Sequence, residues 1–237
     1  MNALEKPTKG QVLFEGEDIN AEDYDRKALR GKVGLVFQYP DHQLFETTII
    51  ADVSFGPKNL GLPEEEVLKR AKGALRLVGI DEKNFEDSPL ELSGGQKKRV
   101  TIAGVLAMRP EVLILDEPTA GLDPAGRDEI LDAISLIREN TGCTIILVSH
   151  SMEDVAKHAE RIVVLDKGRI FYDDIPEKVF SHHRELSEMG LSAPQVRILM
   201  DRLNEAGFSL DPDCITIDRA EEEILKYLDS REKKENP

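Results

Sequence analysis

The chain has 237 residues, enough for one domain with a sizeable core or for one domain with a small appendage. Hydrophobic residues make up 40% and charged residues 32%, as in an ordinary globular protein. A formal net charge of −15 argues against a general nucleic-acid or anionic-lipid surface, because such a chain repels a phosphate backbone.

No apolar run approaches the roughly 18 residues that cross a bilayer. The first residues, Met1-Asn2-Ala3-Leu4-Glu5-Lys6, lack a basic stretch followed by an apolar one, so they do not read as a secretory signal. Residues 11–15 read as a short strand ended by Gly16. Residues 32–37 form a second strand, followed by the breaker Tyr39-Pro40-Asp41. The pattern turns helical between Thr47 and Leu92. Pro63 and the acidic run Glu64-Glu65-Glu66 suit a helix start, and Val67, Leu68, Ala71, Leu75 and Val78 follow at helical spacing up to Gly79. A helix after Gly94-Gly95 carries Val100, Ala103 and Ala107 and ends at Pro110. Strands at 112–115, 144–149 and 162–166 then alternate with helices at 127–140 and 152–159. That alternation predicts an α/β fold with a mostly parallel sheet covered on both faces. Beyond about 185 the chain is helical and charged, with an apolar face of Val196, Leu199, Met200 and Leu203. A last helix at 220–228 carries Ile224, Leu225 and Leu228, and residues 231–237 read as a disordered tail. Cys143 and Cys214 stand alone, without metal-ligand spacing, and read as buried thiols of a reducing compartment.

The chemistry concentrates in two segments. Val112-Leu113-Ile114-Leu115 is apolar throughout and delivers Asp116 and Glu117 at its C-terminal end, where parallel α/β sheets place ligand sites. One carboxylate there suits Mg²⁺, a hard cation that takes oxygen ligands, and the next can polarise a water for in-line attack on a γ-phosphate. Taken alone, an acidic turn Asp116-Glu117-Pro118-Thr119 explains these residues equally well. The second segment is Leu92-Ser93-Gly94-Gly95-Gln96. Ser93 can cap the following helix, and the glycines allow close backbone approach at a helix N-terminus, a natural anion site. One helix upstream of the carboxylate strand, this string is far more specific than a glycine pair. Three further positions fit the same plan. Gln38 follows a strand and can reach a metal or an attacking water. Asp123, before Pro124, is a helix N-cap that can also orient groups across a dimer. His150 ends a strand and can contact a γ-phosphate.

Gln38, Leu92-Ser93-Gly94-Gly95-Gln96, Leu113-Ile114-Leu115-Asp116-Glu117-Pro118, Ala120-Gly121-Leu122-Asp123 and Ser149-His150 occur in the order found in ABC transporter ATPases. The resemblance covers most of residues 1–175. It implies a P-loop NTPase-like ATPase domain there, with a helical subdomain at about 47–95 and a C-terminal extension at 176–230. It makes Asp116 the Mg²⁺ carboxylate, with Gln38 a further Mg²⁺ contact, Glu117 the general base and His150 the switch histidine. Residues 93–96 and Asp123 become contacts to a nucleotide shared across a dimer. A finer resemblance is to the ATPase subunits of energy-coupling-factor importers of cobalt, nickel or vitamins. Tyr39-Pro40-Asp41-His42-Gln43-Leu44-Phe45, Phe55-Gly56-Pro57-Lys58-Asn59-Leu60-Gly61-Leu62 and Leu191-Ser192-Ala193-Pro194-Gln195 carry it. It implies ATP and Mg²⁺ as cofactors, a homo- or heterodimer with another such ATPase, and a peripheral place on the cytoplasmic face of the membrane. It also implies membrane-embedded coupling and substrate-binding subunits as partners. Leu44, Phe45 and Ile49 are candidate walls of the groove for the coupling subunit, or else core.

The family's phosphate loop, GxxxxGK[ST], does not occur in the 237 residues. Residues 2–10 resemble the stretch downstream of it, so the chain reads as starting inside the first helix of the fold. It therefore lacks the lysine and amides that neutralise β/γ-phosphate charge, and also a central strand of the sheet, which would leave unpaired edges in the core. The expectation is a truncated form of a full ATPase, inactive alone, because Gln38, Glu117 and His150 are all retained. The alternative is a subunit that binds no ATP itself and lends only residues 93–96 to a partner ATPase. A DNA-repair type of ABC ATPase fits less well, given the net charge and the lack of long heptad repeats between the motifs.

Overall fold

Backbone pairing and burial sort the chain into two units in a computed structural model that describes residues 1–39 and 43–235; the units are Met1–Val148 and the part from Ser149 on. The division falls before the expected 175/176 boundary, because the segment from 162 to 174 folds on itself as a hairpin whose apolar residues pack with the helices that follow. Pro40, Asp41 and His42, and with them part of the expected breaker and of the energy-coupling-factor-like stretch, lie outside the described residues.

Residues 1–10 form no helix, contrary to the expectation of a first-helix remnant; Pro7 and Gly10, the latter at φ +84°, interrupt them. The first unit opens with the hairpin β1 (Leu13–Phe14) and β2 (Glu17–Asp18). Its connection is Glu15-Gly16, both at positive φ (52° and 87°), the geometry that matches the twist of a two-residue hairpin. Then follow α1 (Arg26–Lys32), β3 (Val33–Val36), α2 (Ile49–Asn59), α3 (Glu64–Leu77), α4 (Gly94–Leu106), β4 (Val112–Asp116), α5 (Pro124–Thr141) and β5 (Thr144–Val148).

The sheet order is β3-β4-β5, all parallel, with Val36 beside Leu115 and Asp116 beside Val148. Side chains alternate between its faces. Leu113 and Leu115, both fully buried, join Val36, Ile145 and Leu147 in the core shared with α2, α3, α4 and α5. Ile114, with Val33, Leu35 and Ile146, packs on Leu29 of α1 and on Ile19. Both faces are covered, as the unbroken apolar run of β4 demands, and the α/β parallel-sheet prediction holds. Gly34 permits the closest contact. A Cβ there would lie 2.3 Å from Cγ1 of Val105, so α4 rests directly on the β3 backbone. Among the described residues β5 pairs with β4 alone; its ends, Thr144 and Val148, are exposed. β3 likewise pairs with β4 alone, so the described sheet is continuous and the expected unpaired edges within the core are not seen; its free edges are the outer sides of β3 and β5.

The second unit holds α6 (Met152–His158), β6 (Ile162–Asp166), β7 (Arg169–Asp174), α7 (Pro176–Ser181), α8 (His183–Glu188), α9 (Gln195–Glu205) and α10 (Ile217–Glu235). The turn Lys167-Gly168, again at positive φ, joins β6 to the antiparallel β7, a strand absent from the sequence reading. On α9, Met200 is fully buried, Val196 and Leu203 are partly buried, and Leu199 is exposed rather than on the apolar face. On α10 the buried line is Ala220, Ile224 and Tyr227; Leu225 and Leu228 lie off that line and are exposed. The helix continues to Glu235, past residue 231 where the sequence reading begins a tail.

Candidate functional site

Ser93 caps α4. Its Oγ accepts the Gln96 N–H at 3.3 Å and the Gln96 Oε1 accepts the Ser93 N–H at 3.0 Å, a reciprocal capping box. This fixes the first turn and leaves early amides of Gly94 and Gly95 at a helix N-terminus, which by geometry has no intrahelical acceptor for them. Neither glycine is required by the chain's own packing. A Cβ on Gly94 would meet only Leu122 at 3.8 Å, a Cβ on Gly95 only the Gly126 Cα at 3.9 Å, and neither residue has positive φ. Glycine inside a helix costs about 0.5–1 kcal/mol relative to alanine. Two adjacent glycines that the fold does not need point to an external body that must come close.

At the C-terminal end of β4, Asp116 is still in register with Val148, and Glu117 is the first residue beyond the strand. Glu117 sits at φ +48°, a left-handed conformation that costs a non-glycine residue about 1–2 kcal/mol. Several hydrogen bonds hold it there. Its N–H donates to the Val148 carbonyl at 2.9 Å, and its own carbonyl accepts the Ala120 N–H at 3.2 Å. The Nζ of Lys98 donates to the Glu117 carbonyl at 3.3 Å and to the Ala120 carbonyl at 2.6 Å. Lys98, on the second turn of α4, is only 7% exposed. Burial pushes its ammonium below the usual lysine range, against the pull of the nearby Glu117 charge. The sequence reading passed over Lys98, in the run Lys97-Lys98-Arg99. Its spacing to Ile102 and Val105, both buried, placed it on the apolar face of the helix.

Asp123 is exposed and its Oδ1 accepts the Gly126 N–H at 2.9 Å, capping α5 with Pro124 in the first turn. Gln38 lies two residues past β3. Because β3 and β4 are parallel, it leaves the sheet at the same edge as Asp116 and Glu117. His150 is exposed, two residues past β5, and belongs to the second unit. The first unit thus brings Gln38, Asp116 and Glu117 to one sheet edge and ties the 117–123 loop to α4 through Lys98.

Among the described residues no group of three or more His, Cys, Asp or Glu forms a metal cage. Asp116 and Glu117 at the sheet edge fit Mg²⁺ in the manner of a cation held by one or two carboxylates together with substrate phosphates and water. Asp116 would supply the direct or water-mediated carboxylate.

Beyond Gln38, Leu44 packs on the core while Phe45, 62% exposed, meets Phe55 edge to face with centroids 4.8 Å apart. Ile49 is fully buried, so of its two readings the core one holds. Asp52, 8% exposed, accepts the Phe45 and Glu46 N–H groups on one oxygen, each at 2.9 Å. Burial raises its carboxyl pKa, although both hydrogen bonds oppose the rise.

A three-stranded parallel sheet that releases two carboxylates at its C-terminal edge, with a serine-capped, glycine-opened helix packed against it, is the arrangement of an ATP-binding cassette. The sequence model described as "ABC transporter" matches residues 1–120. The energy-coupling factor transporter ATP-binding protein EcfA2 of Clostridium tetani is 53% identical over 232 residues, 98% of this chain and 81% of that protein. The EcfA2 protein of Caldanaerobacter subterraneus is 50% identical over 96% of this chain and 80% of its own length. Among solved structures, cbiO1 from Clostridium perfringens, described as part of the ABC transporter complex cbiONQ, aligns with TM-score 0.69 and 42% identity. That alignment covers 84% of this chain and 79% of cbiO1. The MJ0796 cassette, solved as a dimer in a post-hydrolysis state with ADP and Pi, aligns with TM-score 0.62 and 30% identity, over 74% and 77% of the two chains. The chain belongs to the ABC transporter family, among its energy-coupling-factor ATP-binding subunits.

Proposed function

We propose that this chain hydrolyses ATP as a subunit of an energy-coupling-factor-type importer, working as a dimer in which each nucleotide is shared by two cassettes. The observation that carries this reading is the pair Gly94 and Gly95, which the fold does not need and a closely approaching phosphate does. In this reading residues 93–96 and Asp123 serve the partner's nucleotide, while Gln38, Asp116, Glu117 and His150 serve the chain's own. When bound, Mg²⁺ neutralises the charge developing on the transferred phosphoryl group. Asp116 holds its coordination sphere in place, with Gln38 a second contact. Glu117 accepts a proton from the attacking water, and His150 contacts the terminal phosphate. The dimeric state reported for MJ0796 supports a paired cassette, and the cbiONQ complex of cbiO1 supports membrane partners. No helix among the described residues is long and apolar enough to cross a membrane. In this reading membrane-embedded coupling and substrate-binding subunits complete the importer, with this chain on the cytoplasmic face. The exposed Phe45–Phe55 pair supports a coupling-subunit contact beside Gln38. The cargo, whether cobalt, nickel or a vitamin, is the province of another subunit.

The 237 residues hold no GxxxxGK[ST], so phosphate binding in cis requires that loop, and by themselves they are expected to be inactive. The test therefore uses an ATP-competent chain, this sequence extended at its N-terminus by a segment bearing the loop. Replacing Gly95 by alanine is expected to leave thermal stability unchanged or raised by up to about 1 kcal/mol. The same change is expected to abolish Mg-ATP-dependent dimerisation, read by light scattering. Dimerisation at the unsubstituted level would remove residues 93–96 from the nucleotide.

A further inference from the structure

We infer that Lys98 is a positioning residue that couples the nucleotide-facing start of α4 to the loop carrying Glu117 and Asp123; the inference rests on the reading of Glu117 as general base. A lysine 7% exposed is rare unless something binds its charge. Here the ammonium is directed at two main-chain carbonyls, those of Ala120 at 2.6 Å and Glu117 at 3.3 Å. Both belong to the loop between β4 and α5. An ammonium–carbonyl contact is a charge-assisted hydrogen bond and is stronger than a neutral one in a dry setting.

The position of these two carbonyls gives the contact its consequence. Glu117 is held at φ +48°, and a left-handed residue keeps that conformation only when its surroundings over-determine it. The Val148 carbonyl fixes the N–H side of Glu117 at 2.9 Å. On the carbonyl side the Ala120 N–H contact is a turn bond within the same loop, so it cannot place the loop against the rest of the fold. Lys98 does that. It stands five residues beyond Ser93 on one continuous helix, so a small rotation of α4 when Ser93, Gly94 and Gly95 engage a phosphate moves the Lys98 ammonium with it. The two carbonyls it holds lie on either side of the turn that leads to Asp123. Engagement of a nucleotide at the start of α4 is thus transmitted to the backbone that aims Glu117, and so from one shared nucleotide to the other.

Hydrogen exchange on the 237-residue chain tests the positioning without any nucleotide. In Lys98→Met the amides of residues 117–123 are expected to exchange at least tenfold faster, with β4 and the rest of α4 unchanged. Lys98→Arg, which restores a cationic donor, is expected to bring protection back. In the ATP-competent chain Lys98→Met is expected to lower kcat at least tenfold with KM for ATP within twofold. Unchanged exchange in 117–123 would overturn the inference, as would equal loosening of β4 and α4, the mark of a merely structural lysine. If Lys98→Met does not fold, Lys98→Gln is judged by the same exchange criteria. Full turnover in Glu117→Gln would instead overturn the general-base reading and leave the exchange result standing.

Discussion

At Asp52 two backbone amides converge on one carboxylate oxygen inside the protein, beside the exposed Phe45. Burial raises its pKa above the ordinary 3.8, so the folded chain holds the proton more tightly than the unfolded chain. The contribution of this group to stability is therefore complete below about pH 3.8 and is lost as pH rises through the higher folded-state value. Asp52→Asn keeps an acceptor oxygen and removes the charge. Its stability relative to the parent is expected to be near zero at pH 4 and to become more favourable towards pH 7. Asp52→Ala leaves two amides without that acceptor and is expected to lose about 1–3 kcal/mol at both pH values. Urea unfolding at the two pH values measures both. A relative stability of Asp52→Asn that falls with rising pH would show that the charged form is the favoured one. The strings that hold Ser93, Asp116, Glu117 and Asp123 were legible as those of the family, because they are contiguous and their order is itself informative. Lys98 was not, because in a run of three cations only the register against Ile102 and Val105 separates a buried one from its solvated neighbours. The left-handed Glu117 left no trace in sequence either, since residue type does not announce a strained φ.

Among elements, the contact of α4 with β3 depends on an atom that is absent. A Cβ on Gly34 would fall 2.3 Å from Val105 Cγ1, with Pro110 at 3.5 Å on the same side. Neither neighbour is a flexible chain end that can swing away, so Gly34→Ala must push α4 off the sheet or drive Val105 from its rotamer. A loss of about 1–3 kcal/mol is expected, the usual range for overpacking, and Val105→Ala in the same chain should recover part of it. Thermal unfolding of the single and double variants checks this; an unchanged Gly34→Ala would mean that α4 does not bear on the strand. The amphipathic stripe of α3 and the apolar runs of α4, β4 and β6, bounded by breakers, read correctly from sequence because burial dictates their residues. The strand β7 did not. Arg169-Ile170-Phe171-Tyr172-Asp173-Asp174 exposes Ile170 and Phe171, so its apolar residues do not alternate cleanly. Only the Lys167-Gly168 turn marks the hairpin. On α10, Ile224, Leu225 and Leu228 are all apolar, but the helix buries the line through Ala220, Ile224 and Tyr227 and leaves Leu225 and Leu228 exposed.

For the whole molecule, the parallel sheet, the helix that opens with Ser93 and the carboxylate edge mark an ABC-type cassette, and relatives near 50% identity over nearly the full chain place it among energy-coupling-factor ATP-binding subunits. The family was legible because its motifs are short, specific and ordered. The division after Val148 was not, because it depends on which strands pair in space. The proposed machine joins a signature that serves a partner's nucleotide to carboxylates that serve its own, and the second half rests on Glu117. The measurement that tests this most directly is steady-state Mg-ATP turnover by the ATP-competent chain, its Glu117→Gln variant and the 237-residue chain alone. The account predicts turnover in the first and loss of at least about 100-fold in the variant with ATP still bound, the loss expected when a general base is removed. It predicts no turnover in the chain alone. Undiminished turnover in Glu117→Gln, or hydrolysis by the 237 residues without the loop, would contradict it.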